Sequence, residues 1–297
     1  MRSVRTCLGL TVLVLAAMAA GTRADWNPGD PAKWVQLPDF SPNGMDVYDT
    51  RWPQNQPTSN QFKILADDWL CTSVDPVTDI HIWGSWLNNH LPFGGGPNPG
   101  NPGAVTFKLS IHEDVPAGVD APWSHPGPQV WSMVTPASAV RLYAPNPEFP
   151  TIIEQFYDPN INQIIGQDNE VYQYNFTDLV NPFIQQGTTS QPKIYWLDVQ
   201  ALSEDPTAIF GWKTAEGPHR LDDAVYADTD GFGGPLLPLP GNPLGVPWRD
   251  MHYPSGHQFQ GQSFDLSFVI TTVPEPGTLS GLLIAAVVLS ACRRRDS

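Results

Sequence analysis

The sequence predicts an all-β protein, an antiparallel β-sandwich of jelly-roll type spanning residues 25–272. Three observations predict it. Apolar and polar residues alternate with a period of two, most clearly where Val105, Phe107, Leu109 and Ile111 interleave with Thr106, Lys108, Ser110 and His112. That is the pattern of a strand with one dry and one wet face. Proline (32) and glycine (25) together make about 19 % of the 297 residues, against a usual ~12 %, and proline is hostile to helix interiors. Turn clusters at 94–100, 145–147 and 231–247 punctuate the runs.

The elements follow in order. Residues 62–70 and 77–87 are rich in Ile, Leu and Trp, and 105–111 carries the alternation just described. Strands are expected next at 129–134, 139–143, 153–157, 170–176, 193–202 and 208–213, each a short β-branched or aromatic run between turn residues. The last is 264–270, where Phe264, Leu266, Phe268 and Ile270 alternate with Asp265 and Ser267. The one expected helix is 178–184, with Thr177 at its N-cap. About ten strands at this spacing suit a two-sheet sandwich. No internal repeat is visible, so a propeller or solenoid is not expected.

The two ends read differently. Residues 1–24 have the form of a signal peptide: Arg2 and Arg5, an apolar run over 8–20, and Thr22-Arg23-Ala24 before a mature start at Asp25. Residues 273–297 place Pro274-Glu275-Pro276 before 16 uncharged residues, 277–292, and then Arg293, Arg294 and Arg295. As a helix the uncharged stretch spans roughly 24 Å, a little short of the ~30 Å hydrocarbon core, and flanking arginines absorb such a difference by snorkelling. The arginine trio orients this transmembrane segment with its C-terminus cytoplasmic.

Motif, apolar segment and basic cluster in that order resemble the PEP-CTERM sorting signal. The resemblance implies a partner, an exosortase-type processing enzyme acting at the cytoplasmic membrane, and delivery to the cell surface or the extracellular matrix. A second resemblance covers roughly residues 60–272. The runs 66–71 (Ala-Asp-Asp-Trp-Leu-Cys), 78–85, 210–214, 222–225, 253–257 and 263–270 resemble an uncharacterised secreted bacterial domain found with such tails. It implies an exported β-rich domain and no assigned activity.

Charge and cysteine usage exclude several functions. Between residues 25 and 272 there are nine Lys and Arg against 28 Asp and Glu, a net of about −19. Nucleic acid is a poor partner for such a surface, because its binding relies on basic patches. Cys71 is the single cysteine of this region, so a disulfide framework and a cysteine-rich zinc site are both excluded. Cys71 itself reads as a small buried apolar residue.

Candidate sites are few. The seven histidines show no His-Glu-x-x-His spacing. His81 and His112, both in strand runs, are the one candidate metal pair. Asp228-Thr229-Asp230-Gly231 opens like a calcium loop, but Leu239 stands at the twelfth position where an EF-hand needs a carboxylate. A looser Ca2+ site of Asp222, Asp223, Asp228 and Asp230 remains as the cofactor candidate. Trp123 and Trp248 lie in Pro-rich loops and are the candidates for stacking on a surface polysaccharide, whereas Trp196 and Trp212 read as core. No nucleophile elbow and no phosphate loop is present, and no catalytic residue is assigned. The expectation is a non-enzymatic, exported cell-envelope protein. The alternative is a carbohydrate-binding module, and behind it a secreted glycan hydrolase.

Overall fold

A computed structural model describes residues 25–51, 64–94, 99–150, 153–217, 219–227 and 248–272. Among them are 16 strands and one 3-10 turn, Leu87–Asn89. In chain order the strands are β1 (Trp34–Gln36), β2 (Met45–Tyr48), β3 (Thr50–Arg51), β4 (Ile64–Cys71), β5 (Asp79–Trp86), β6 (Thr106–Val115), β7 (His125–Thr135) and β8 (Ala139–Ala144). They continue with β9 (Glu154–Asp158), β10 (Gln163–Asp168), β11 (Val171–Phe176), β12 (Lys193–Leu202), β13 (Phe210–Lys213), β14 (Val225–Ala227), β15 (Trp248–Asp250) and β16 (Phe268–Thr271).

Two sheets result, so the all-β expectation holds. A nine-stranded sheet runs β1-β16-β5-β13-β2-β9-β10, with β11 and β8 continuing from the other edge of β5. A seven-stranded sheet runs β15-β14-β4-β12-β6-β7, with β3 beside the end of β12. Most pairings are antiparallel, but β2–β9 and β3–β12 are parallel, which makes both sheets mixed rather than purely antiparallel.

The inner faces follow the sequence alternation. From the seven-stranded sheet, Leu65, Trp69, Phe107, Leu109, Ile111, Leu197 and Val199 point to the main core, and Ile80, Ile82, Tyr174, Phe210, Trp212 and Phe268 meet them from the other. Phe107 joins the sheets through edge-to-face contacts with Tyr174 (5.1 Å) and Phe210 (5.3 Å), the geometry that the aromatic quadrupole favours.

The outer faces depart from expectation. On β6, Ser110 is fully buried although it sits on the polar side of the alternation, and Asp265 and Ser267 are buried in the same way. Both sheets carry covers. Over the nine-stranded sheet, Trp26, Leu37, Phe40 and Phe149 pack against Val35, Trp83, Tyr143 and Val269. Over the seven-stranded sheet, Ala121 and Trp123 pack on Ile64, Ala66, Trp196, Val225 and Trp248. Polar side chains on the supposed wet faces are therefore roofed over.

The helix expected at 178–184 does not form. Asp178 adopts φ 53°, a left-handed conformation that does not propagate a helix. Its N–H donates to Asp79 Oδ1 (2.9 Å) and that of Leu179 to Thr78 O (3.0 Å), while Val77 N–H donates to Phe183 O (2.8 Å). Long-range pairing with the chain before β5 thus overrides the local propensity.

Candidate functional site

Lys213 closes β13, pointing to the roofed side of the nine-stranded sheet. It pairs directly with Asp46 on β2, and β2 runs parallel to β9, whose first residue is Glu154. Asp168, at the end of β10, pairs with Glu154. Three strand pairings thus gather one ammonium and three carboxyls. Lys213 Nζ lies 2.8 Å from Glu154 Oε1 and 3.7 Å from Asp46 Oδ2, with side-chain exposures of 0–2 %. Carboxylate oxygens of Asp46, Glu154 and Asp168 lie within 4.8 Å of one another.

Close approach needs glycines here. A Cβ at Gly44 would stand 2.2 Å from Asp39 O and 2.9 Å from Lys213 Nζ, so the backbone itself roofs the cluster. A Cβ at Gly211 would strike Phe156 at 2.6 Å. The Phe40 ring stands with its centroid 5.9 Å from Nζ.

The electrostatics are those of too many acids for one base. Burial raises Asp46 to about 7, against the lowering pull of Lys213. Burial raises Asp168 to about 10, with the Asp46 carboxylate adding to the rise. Burial also raises Glu154, again against Lys213. For Lys213, burial lowers the ammonium, but Glu154 and Asp46 outweigh it and hold it above its ordinary value. Neither oxygen of Asp46 nor of Asp168 makes a well-formed hydrogen bond, although the Ser85 hydroxyl stands close enough to both carboxyls to lower them somewhat. Buried carboxyls are rarely left in that state.

A second cluster lies at the middle of β4 and just before β16. Asp67 is satisfied: its Oδ2 accepts from Gln36 Nε2 (2.9 Å) and Leu266 N–H (2.5 Å), and its Oδ1 from Asp68 N–H (2.7 Å). Asp68 faces the other way. Its Oδ2 accepts from Asp222 N–H at 3.4 Å while its buried Oδ1 has no partner. Burial, and then the Asp222 carboxylate, push it up to about 9. Asp265 Oδ2 accepts from Arg220 N–H (2.8 Å), and burial raises it to about 6. His219 Nδ1 lies 3.5 Å from Asp265 Oδ1 and 4.0 Å from Asp223 Oδ1, and ligand atoms of these three residues fall within 4.8 Å of one another.

The sequence-predicted residues divide accordingly. Asp223 joins His219 and Asp265, whereas Asp222 turns to Asp68; Asp228 and Asp230 lie outside the described residues. So do the sorting motif Pro274, Glu275 and Pro276 and the arginines Arg293, Arg294 and Arg295. Trp123 and Trp248 do come together, since Trp123 Nε1 donates to Trp248 O (3.2 Å). They form a packed pair rather than an open platform: Trp248, the first residue of β15, is 7 % exposed, and Trp123 packs against the same apolar cluster. His81 and His112 stand in different sheets. His81 Nδ1 bonds Asn175 Oδ1 (2.7 Å) and His112 Nε2 bonds Asp198 Oδ2 (2.7 Å), so each is a hydrogen-bonded structural histidine rather than half of a metal pair. Cys71 is buried, as expected.

Lys213, Asp46, Glu154, Asp168, Asp68 and Asp265 were not singled out in the sequence. One signal was available: each lies in or beside a strand dense in core residues, where a charge on the polar side is wet only if nothing covers that side.

Two roofed sheets with ionisable clusters under and beside the covers define an all-β domain with buried polar layers. The chain belongs to the family described as Domain of unknown function (DUF7901), whose model matches residues 32–271. No curated protein matches it, and no solved structure does.

Proposed function

We propose that this is an exported, non-enzymatic cell-envelope protein, with a jelly-roll-like ectodomain over 25–272 that is sorted through a PEP-CTERM tail. The signal peptide at 1–24 directs export. The apolar segment after Pro276 crosses the membrane, and Arg293, Arg294 and Arg295 hold the C-terminus on the cytoplasmic side. An exosortase-type enzyme acts at Pro274-Glu275-Pro276, and the ectodomain passes to the surface or the matrix. The observation that carries this reading is the coincidence of motif, 16-residue uncharged segment and arginine trio in one order over residues 274–295. Fractionation tests it. The chain should appear outside the cytoplasm with both ends trimmed, and replacing Pro274-Glu275-Pro276 with alanines should leave an untrimmed product in the membrane. A soluble cytoplasmic chain with both ends intact would sink the reading.

A separate divalent-cation reading rests on one specific arrangement, which shares only Asp223 with the Ca2+ set expected from the sequence. His219, Asp223 and Asp265 converge, and a nitrogen with two carboxylates suits zinc or a related transition ion better than calcium, which prefers all-oxygen shells.

A further inference from the structure

We propose that Lys213 and Asp46 condense to an intramolecular isopeptide bond joining β13 to β2, with Glu154 as the proton shuttle. The proposal is independent of how the chain is exported.

Geometry comes first. The two residues are directly opposed in the sheet register, and Nζ already stands 3.7 Å from Asp46 Oδ2 and 2.8 Å from Glu154 Oε1. Holding amine and acid together in this way replaces a bimolecular encounter with an effectively unimolecular one, and effective molarities reach about 10⁵ M or more in well-oriented cases. Water, which would favour the free acid and amine, is kept out. All three side chains are 0–2 % exposed, the backbone at Gly44 leaves no room above Nζ, and Phe40 covers the same side.

The second observation is the unsatisfied state of the acid. Neither oxygen of fully buried Asp46 makes a well-formed hydrogen bond, with only the Ser85 hydroxyl and Lys213 Nζ standing near it. A purely structural ion pair normally satisfies its carboxylate, because an unpaired buried oxygen is costly. Condensation removes that difficulty. One Asp46 oxygen leaves, the other becomes an amide carbonyl, and a buried ammonium becomes a neutral amide N–H.

The step balances. Lys213 passes one ammonium proton to the Glu154 carboxylate, leaving a neutral amine beside a neutral acid, a change that the dry interior favours. The amine lone pair attacks Cγ of protonated Asp46 and the C–N bond forms. As the tetrahedral carbon collapses, Glu154 gives its proton to the departing hydroxyl and takes one from the new nitrogen, and the C–O bond breaks. The products are the amide, one water and protonated Glu154, with no oxidant or reductant involved. Asp168, itself held in the acid form, adds no opposing charge. A covalent tie of this kind also suits a chain whose domain has a single cysteine and so no disulfide.

Mass spectrometry of the purified full chain tests the proposal. The wild-type protein should be one water lighter than its sequence, and proteolysis should release a branched peptide joining the segment holding Asp46 to that holding Lys213. Lys213→Arg and Glu154→Gln should each restore the missing water, with Glu154→Gln keeping the shape of the site. A wild-type chain at full mass overturns the proposal whatever the variants do. So does a branched peptide that ends on Glu154 or Asp168 instead of Asp46.

Discussion

Lys213 and Asp46 face each other across β13 and β2, with Nζ 3.7 Å from Oδ2 and neither side chain exposed. This ammonium is the partner of Glu154 as well. Lys213→Met therefore leaves Asp46, Glu154 and Asp168 together with no positive charge among them. Breaking a buried pair from one side costs about 3–5 kcal/mol. The unfolding free energy of Lys213→Met from chemical denaturation should fall by at least that order, and the double variant Lys213→Met, Glu154→Met should recover the electrostatic part of it while still lacking the tie from β13 to β2. A loss under ~0.5 kcal/mol, as at an ordinary surface site, would show that the cluster is not the buried charge centre described.

Gly44 tests how tightly that cluster is roofed. A methyl group there meets a backbone oxygen at 2.2 Å, Lys213 Nζ at 2.9 Å and Glu154 Oε1 at 3.0 Å. The lysine end can give way, but the Asp39 carbonyl belongs to the backbone. Gly44→Ala should cost about 1–3 kcal/mol, the usual range for overpacking. Gly217, where nothing lies within 4 Å of an added Cβ, is the control and should tolerate alanine with little change. Thermal melts of the two variants side by side make the comparison.

How much of this was legible beforehand follows from what alternation encodes. Val105, Phe107, Leu109 and Ile111 announced an inner face, and all four are core residues. The strand expected at 193–202 has those limits. Strands of two to four residues such as β1, β3 and β14 were missed, since a period of two cannot be read from so few positions. Pairing of distant segments decided the fate of 178–184, and no local window contains that information. Above all, alternation says which residues face away from the core but not whether another layer covers them. Asp265 alternates with core residues as a solvent-facing side chain would, yet it is buried, and Asp46 lies on β2, a four-residue strand that the alternation does not reveal.

The buried acids set a direction for stability against pH. Asp68 is raised to about 9 and Asp265 to about 6, each by burial first, from the ordinary value of 3.8. A group with a raised folded-state pKa holds its proton more tightly when folded. Its contribution is fully present below its unfolded value and is lost as pH rises through the folded value. The melting temperature should therefore decline from pH 5 to pH 9, the reverse of a protein stabilised by ionised carboxylates. Asp68→Asn, which keeps the shape and removes the titration, should flatten the part of the slope between pH 7 and 9. His81, lowered by burial, works in the opposite sense and weakens the fold below its ordinary value of 6.5. A melting temperature that rises steadily from pH 5 to 9 would contradict the assignment.

The cluster of His219, Asp223 and Asp265 yields the last prediction, and its ligand types decide which ion to use. His219 and Asp223 are partly exposed while Asp265 is 3 % exposed, so an ion could enter from solvent and meet one anchored carboxylate. Asp265 is fixed by Arg220 N–H through its other oxygen, leaving Oδ1 toward His219. Binding to the folded state alone stabilises it by about 2.7 kcal/mol when the ion is present at a hundredfold its dissociation constant. Zn2+ should accordingly raise the melting temperature by several degrees, and Ca2+ by less, because imidazole suits the former. His219→Ala should abolish the Zn2+ effect while leaving the metal-free melt nearly unchanged, since the ring is about half exposed. An undiminished zinc shift in His219→Ala would place the ion elsewhere, and a larger shift with Ca2+ than with Zn2+ would point to an all-oxygen site built from other carboxylates.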